Sequence, residues 1–309
     1  MVTIYHSNAR SEQLATVDKL RSGAWVHVVA PDEAEIAELS KKFELDADLL
    51  RDAVDLYESP RIERSDGSVY VYTRYYHADN GVINATEPLL IVYRPTYILT
   101  LTRVKGMVLD SLINGEERVV TTQKTKTLLQ ILGAVNGSYA SYMTRATKQI
   151  LRVRSQLRRT DISSEVLLNF IEVEDDLNEF ISALQPQSVV LRGLLGGKFL
   201  PLYEEDKDLV EDLSLGTGEL IELIKSRLKT LIGIRQAYEA IAATELNKTF
   251  RRLTSISIFL MVPTIIFSFY GMNVHLPFER DGLAFWYIMA LVAIFSFGMV
   301  YLFRRKRWL

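Results

Sequence analysis

The sequence contains no cysteine among its 309 residues. This absence excludes disulfide bonds, thiolate metal sites and cysteine nucleophiles. The first ten residues lack an apolar run of signal-peptide length, so most of the chain is expected in the cytoplasm. No phosphate-binding loop, Gly-rich dinucleotide turn or Ser/His/Asp arrangement occurs, and His6, His27 and His77 are scattered on probable strands as ordinary sheet histidines. We therefore predict that the chain is not an enzyme and uses no organic cofactor.

Two long apolar runs lie near the C-terminal end, at residues 253–270 and 283–303. They contain 18 and 21 residues, and neither includes an acidic or basic side chain. A membrane-spanning helix needs roughly 17–25 predominantly apolar residues, so both runs are predicted to be transmembrane helices. The alternative is a buried hairpin of a soluble protein.

Basic residues flank both predicted spans. Lys248, Arg251 and Arg252 precede the first span, and the tail at 304–309 begins with four consecutive basic residues. Short cytoplasmic segments collect Lys and Arg, so both termini are expected in the cytoplasm. The connection at 271–282 is then an external loop. Its charged side chains are Glu279, Arg280 and Asp281.

The first predicted span carries an unusual stripe along one side. Its members recur at alternating spacings of three and four, which places them on one face of a helix. They are Asn247, Phe250, Thr254, Ser257, Met261, Thr264 and Ser268. Small polar residues in a span often hold helices together, and this alternative stays open for Ser257 and Thr264. In the other interpretation the stripe lines a water-filled pore, which several identical chains must enclose as a ring.

Residues 1–122 are predicted to form an α/β unit, because short β-rich runs alternate with helical segments. The predicted strands are 3–6, 25–29, 69–77, 88–93 and 97–102, and the predicted helices are 31–43 and 47–55. Asp32 is placed to cap the first of these helices, and Asp66-Gly67 to form a hairpin turn.

From residue 123 to the first span the chain is predicted to be helical, with breaks at Gln185-Pro186 and at 199–201. Two antiparallel helices and one long helix, from about residue 206 to 270, should result. Residues 165–222 contain 14 acidic and 3 basic residues, which favours a solvated helix face. Clustered carboxylates also suit Mg²⁺, which prefers oxygen ligands. A basic helix precedes this segment, but two membrane spans make nucleic acid an unexpected partner.

The first span ends in the motif Tyr270-Gly271-Met272-Asn273, followed by a short loop with acidic residues, a second span and a basic tail. This arrangement resembles the CorA magnesium transporters of the two-span GxN family. The N-terminal part is similar to that family as well. The matching runs there are Trp25-Val26-His27-Val28, Pro31-Asp32-Glu33-Ala34-Glu35-Ile36 and Ser59-Pro60-Arg61-Ile62-Glu63.

The resemblance implies an α+β cytoplasmic domain, long stalk helices and a two-helix transmembrane hairpin. These parts would assemble in the cell membrane as a funnel-shaped homo-oligomer, which the family makes a pentamer. The implied function is passive, potential-driven entry of Mg²⁺, with Co²⁺ or Ni²⁺ as further cargo. The resemblance assigns the selectivity filter to Gly271, Met272 and Asn273. It assigns the pore below to Thr264, Met261, Leu253 and Asn247, with Met261 and Leu253 as a dewetting gate.

Asp212 is a further candidate, for a regulatory Mg²⁺ site. It lies five heptads before Asn247, and a straight helix drifts about 100° over that length, so Asp212 should point at a neighbouring chain. In the family that this sequence resembles, an aspartate at this distance binds regulatory Mg²⁺ between subunits. Its possible co-ligands are Asp79, Glu87 and Glu211.

The expected partners are further copies of the chain, membrane lipid and divalent cations. The predicted divisions are 1–122, 123–252, 253–270, 271–282, 283–303 and 304–309. One alternative function is zinc transport, because some two-span relatives move zinc and His275 adjoins the motif. Another is a membrane-anchored scaffold without a pore, against which the polar stripe and Asn273 argue.

Overall fold

The computed structural model describes residues 1–10, 13–77, 86–106, 108–156, 164–273 and 282–305. The chain divides into two compact units, Met1–Gly233 and Ile234–Leu309. The first unit contains a mixed β-sheet with helices packed against it. The second contains the last part of the longest helix and one further helix.

A mixed sheet forms the centre of the first unit. Its strands are β1 Val2–His6, β2 Ala15–Thr16, β3 Ala24–Val29, β4 Arg61–Ser65, β5 Ser68–Tyr76, β6 Thr86–Tyr93 and β7 Tyr97–Thr102. The strand order is β2-β1-β3-β7-β6-β5-β4. Only β3 and β7 pair in parallel among these described strands. Because β5, β6 and β7 are buried along almost their whole length, both faces of the central sheet are covered.

One face of the sheet packs against two short helices, α1 Glu33–Phe43 and α2 Ala47–Asp52. Asp32 caps α1 as predicted, since it accepts from the Glu35 amide while the Glu35 side chain accepts from the Asp32 amide. The predicted hairpin at Asp66-Gly67 is also confirmed. Both residues have positive φ, at 48° and 72°, and Ser65 pairs with Ser68 across the turn.

Two helices cover the other face, α4 Lys124–Gln156 and α5 Ser164–Leu195. α3 Asp110–Ile113 and the first part of α6, which runs from Glu204 to Tyr270, pack against α4. Asn136 of α4 bonds to Gln187 of α5, while Tyr142 of α4 bonds to Asp176 of α5. Asn136 precedes Tyr142 along α4, whereas its partner Gln187 follows Asp176 along α5. The two helices are therefore antiparallel, as predicted.

The predicted helix break at Gln185-Pro186 is wrong, because α5 continues through Pro186. A proline removes one backbone hydrogen bond and usually kinks a helix. Here packing outweighs that local cost, because the side chain of Gln187 is buried and bonds to two neighbouring elements. The predicted break at 199–201 is confirmed, since α5 ends at Leu195 and α6 begins at Glu204.

The second unit contains two apolar helices, the end of α6 and α7 Ala284–Arg305. Their most apolar 18-residue windows have mean hydropathies of 1.9 and 2.0. Only 6% and 0% of these windows are buried, whereas the core hairpin of a soluble protein would be mostly buried. Two exposed apolar helices of this length favour membrane spans.

The side chain of His27 on β3 is partly buried. Its Nδ1 lies 2.9 Å from Oγ1 of Thr100, and the indole N–H of Trp25 donates to the same oxygen at 2.9 Å. Burial lowers the pKa of His27 to about 4, and the nearby N-terminal ammonium group adds to the effect. The neutral ring can then accept the Thr100 hydroxyl proton, which fits a structural role.

This pKa predicts a pH-dependent stability. An unfolded histidine has a pKa of about 6.5, so below that pH the unfolded chain binds more protons than the folded chain. The free energy of unfolding should therefore fall by roughly 2 kcal/mol between pH 7 and pH 5 through this residue. Thermal or denaturant unfolding of the purified chain at both pH values measures this fall in the free energy of unfolding. His27→Gln should remove the part of the fall that comes from His27, and an unchanged pH slope in this variant would contradict the assignment.

Candidate ion pathway and regulatory site

The structure places the whole predicted pore stripe, Asn247 to Ser268, on the uninterrupted helix α6. At about 100° per residue its seven members fall within an arc of roughly 100°. All of them are exposed in the single chain, and Met261 remains 57% exposed. Leu253 extends the arc by about 20° and is 60% exposed.

The opposite side of the same span is the side that the chain partly covers. Ser255 is 1% exposed, and Ile258, Val262, Ile266 and Tyr270 are partly buried. These residues centre roughly 140° away from the polar stripe. The stripe is therefore free of packing within its own chain.

Two hydroxyl groups of the stripe donate within the helix. Ser257 donates to the Leu253 carbonyl at 3.0 Å, and Thr264 donates to the Leu260 carbonyl at 2.8 Å. These protons need no partner on a second helix, which weakens the interpretation of the stripe as helix-pairing glue. The oxygen lone pairs still point outward as acceptors, and the water molecules around a hydrated cation are donors.

The Gly-Met-Asn motif follows the last turn of α6 directly. The Gly271 amide donates to the Phe267 carbonyl at 2.9 Å, and the Met272 amide donates to the Phe269 carbonyl at 3.4 Å. Asn273 is exposed, three residues after Tyr270, the last residue of α6. The C-terminal end of a helix carries partial negative charge, so the amide of Asn273 lies where a cation is favoured. The other predicted residues of this loop, Glu279 and Asp281, lie outside the described residues, as does His275.

Asp212 is exposed on the part of α6 that belongs to the first unit. It makes no ion pair or side-chain hydrogen bond with any residue that the structure describes. Within the same described ranges, no group of three or more His, Cys, Asp or Glu side chains could hold a metal ion. The described part of one chain therefore supplies at most part of a cation site at Asp212.

Two of the possible co-ligands of Asp212 can be judged. Glu87 is fully buried, and Arg103 holds both of its oxygens at 2.6 and 2.8 Å. Naming Glu87 as a co-ligand was therefore wrong, because its carboxylate is closed off and neutralised. Glu211 is exposed beside Asp212 and remains available. Asp79 lies outside the described residues.

The surface around Asp212 contains a feature that the acidic composition did not reveal. Asp208, Asp212, Leu215 and Glu219 fall within an arc of roughly 60° on α6, and all four are exposed. Leu215 is 67% exposed and lies between Asp212 and Glu219 along the helix axis. Counting charges along the sequence could not show this, whereas a helical projection of residues 204–222 would have.

Two exposed apolar helices, one of them bearing a polar stripe that leads to an amide, fit a membrane transport protein. The family model for the CorA-like Mg²⁺ transporter protein matches residues 21–305, and the chain belongs to this family. The resemblance seen in the sequence is thereby confirmed. So is the prediction that the chain is not an enzyme, because the family consists of transporters.

Individual relatives agree over nearly the full length. The cobalt/magnesium transport protein CorA of Methanocaldococcus jannaschii is 25% identical over 297 residues, which is 92% of this chain and 91% of that protein. The magnesium transport protein CorA of Escherichia coli K12 is 22% identical over 308 residues, 94% and 93% of the two chains. The complete structure of the M. jannaschii CorA magnesium transporter has a TM-score of 0.86 at 23% identity, covering 100% of this chain and 99% of that one. This likeness confirms the predicted fold class.

Proposed function

We propose that the chain is the subunit of a homo-oligomeric channel for passive, potential-driven uptake of Mg²⁺, closed by intracellular Mg²⁺. The observation that carries this proposal is the exposed polar stripe on the first span, which ends at Asn273. The names of the relatives, which are magnesium or cobalt/magnesium transport proteins, support the choice of ion.

The width of the stripe supports a ring of identical chains. A face of roughly 100° on one helix cannot enclose a pore alone. In a closed ring, each helix presents to the axis the sector between the directions to its two neighbours, and the stripe is about as wide as that sector. In a ring of five helices this sector spans about 108°, so the pentamer that the family suggests fits the stripe. The partly buried opposite side of the span then faces away from the axis.

The filter would act on a hydrated ion. Mg²⁺ gives up its water ligands reluctantly and usually keeps several of them. A ring of Asn273 amide oxygens at the C-terminal ends of the helices can accept hydrogen bonds from those waters without removing them. Neutral amides also avoid holding the ion so tightly that it cannot leave.

The membrane potential supplies the drive. Each elementary charge gains roughly 2.3 kcal/mol per 100 mV, and a divalent ion gains about twice that amount. The basic residues beside both spans, Arg251 and Arg252 on α6 with Arg304 and Arg305 on α7, support cytoplasmic termini. With that orientation Asn273 opens to the outside, and the ion moves inward toward the negative side.

Ion flux into liposomes that contain the purified chain tests this function. With an inside-negative potential, Mg²⁺ should enter at least as fast as Co²⁺ and Ni²⁺, and faster than Zn²⁺. Zinc prefers nitrogen and sulfur ligands, and the chain has no cysteine. Faster Zn²⁺ entry would favour the zinc alternative, and no flux of any ion would favour a scaffold without a pore.

Asp212 is proposed to belong to a closing switch. Exposed carboxylates on neighbouring α6 helices repel one another, and bound Mg²⁺ would neutralise them and hold the closed state. A ligand shifts such an equilibrium only through its different affinity for the two states. Asp212→Asn should therefore shrink the effect of internal Mg²⁺ on flux and raise its midpoint by about tenfold, which is the loss of about 1.4 kcal/mol of differential binding.

The measurement is flux or stalk protease protection titrated with internal Mg²⁺. Glu239→Gln is the matched control, because Glu239 is an exposed acid on the same helix, about 180° around the axis from Asp212. This control should behave as wild type. If Asp212→Asn has the same midpoint and amplitude as wild type, Asp212 is only a solvated surface acid.

A further inference from the structure

A chain of buried and partly buried hydrogen bonds joins the sheet to α6 across two intervening helices. Thr73 of β5 donates to Oε1 of Gln187 at 2.6 Å, and Nε2 of Gln187 donates to Oδ1 of Asn136 at 3.0 Å. Nδ2 of Asn136 then donates to Oγ1 of Thr217 at 2.9 Å and to the Leu213 carbonyl at 3.3 Å. Thr217 donates to the same carbonyl at 2.8 Å. We call this set the cross-helix network.

The cross-helix network is internally consistent and mostly shielded from water, with Asn136 half-buried at its centre. In each of the three bonds between elements, the donor lies on the Thr73 side and the acceptor on the α6 side, so no amide has to be reversed to satisfy its neighbours. Thr73, Gln187 and Thr217 are 2%, 1% and 0% exposed. A buried polar network that is fully satisfied fixes one arrangement of the elements it joins, because a shift in register would leave its groups unpaired.

The network meets α6 close to Asp212. Leu213 directly follows Asp212, and Thr217 lies five residues, or about 1.4 turns, after Asp212. Thr217 stands between Gly216 and Gly218, and each glycine costs an interior helix about 1 kcal/mol relative to alanine. The network therefore pins α6 at a locally weak stretch of the helix, and that stretch adjoins the proposed regulatory aspartate.

We propose that Asn136, Gln187 and Thr217 are positioning residues for the Mg²⁺ response. They hold the stretch of α6 around Asp212 in one orientation relative to the first unit, so that its carboxylates are already placed when the cation arrives. This inference rests on the proposed function, because it deepens the role given to Asp212. A preorganised site binds more tightly because the cation does not have to order its ligands.

The first test measures the position of α6 without any cation. Hydrogen exchange of the amides at 211–221 should be about fivefold faster in Thr217→Val, a substitution of nearly equal volume. In Asn136→Ala, which unlinks both neighbours, exchange should be about tenfold faster. Amides of β6 should exchange as in wild type. Unchanged exchange at 211–221 in both variants overturns the proposal.

The second test asks whether this positioning affects the cation. In Thr217→Val, the internal Mg²⁺ midpoint for protease protection of α6 should rise about fivefold. Thr121→Val is the matched control, because Thr121 is also buried and joins a polar cluster with Ser7 that does not touch α6. This control should lose thermal stability with no change in the Mg²⁺ midpoint. Equal midpoints in Thr217→Val and wild type would show a purely structural role.

The two proposals fail in different ways. If wild-type α6 shows no Mg²⁺-dependent protection, the closing switch itself is wrong, and the positioning role in the Mg²⁺ response falls with it. If wild type responds to Mg²⁺ but Asn136→Ala and Thr217→Val respond at the same midpoint, the switch stands and only the positioning role is overturned. The Asp212→Asn variant, measured in parallel, supplies the expected response of a damaged site.

Discussion

Replacing Asn273 with alanine is expected to reduce Mg²⁺ uptake by about a hundredfold or more. Each symmetry-related amide would lose a hydrogen bond worth about 1 kcal/mol to the water shell of the ion, and the losses act on the same ion. Assembly should not change, because Asn273 is exposed beyond the end of α6 and contributes nothing to the buried core. Flux into liposomes and size-exclusion profiles measure the two properties.

Asn273→Asp serves as the companion variant. A carboxylate still presents an acceptor to the hydrated ion, so cations should pass, but the added negative charge should alter the selectivity among them. Wild-type flux and selectivity in Asn273→Ala would remove Asn273 from the filter. Loss of the oligomer in that variant would assign it to assembly instead.

Widening the apolar constriction is expected to produce the second large effect, a resting leak. Met261 and Leu253 remain 57% and 60% exposed on the pore stripe, so in a ring they would face the axis and exclude water. Shortening Met261 to alanine removes apolar surface whose hydrophobic free energy is roughly 2 kcal/mol per chain. The resting leak should therefore rise at least about tenfold. Leu253→Gly should act in the same direction.

Val262→Ala is the matched control for the gate. Val262 neighbours Met261 in the chain but lies on the partly buried side of the span. Its truncation should leave the resting leak near the wild-type value. If Met261→Ala and Val262→Ala both weaken the oligomer and neither leaks, the stripe packs spans together and lines no pore.

Local patterns predicted much of the fold. Asp32 was placed as a helix cap because capping depends on a few neighbouring residues, and the capping box with Glu35 confirms it. The long helix and the two apolar runs were predictable for the same reason, since periodicity and length are properties of one segment. Those features, with the Gly271 to Asn273 motif, were sufficient for the family resemblance.

Features that depend on contacts between segments were missed. The local cost of Pro186 predicts a helix break, while the hydrogen bonds of Gln187 that offset this cost come from two other elements. Glu87 was a reasonable cation ligand as an isolated acid, but Arg103 closes it off from a distant part of the chain. The candidate site could not be completed from one sequence either, because in our proposal the groups that complete the ring at Asn273 and at Asp212 come from other copies.

The most direct test of the central claim, a passive Mg²⁺ pathway, is the reversal potential of current through the purified chain in a planar bilayer. Moving one charge through 100 mV takes roughly 2.3 kcal/mol, and a tenfold concentration ratio supplies about 1.4 kcal/mol. For a divalent ion, the reversal potential should therefore shift by about 30 mV per tenfold Mg²⁺ gradient. We expect that slope for wild type and loss of the Mg²⁺ current in Asn273→Ala. A wild-type chain without Mg²⁺ current, or a reversal potential that ignores the Mg²⁺ gradient, would contradict the account.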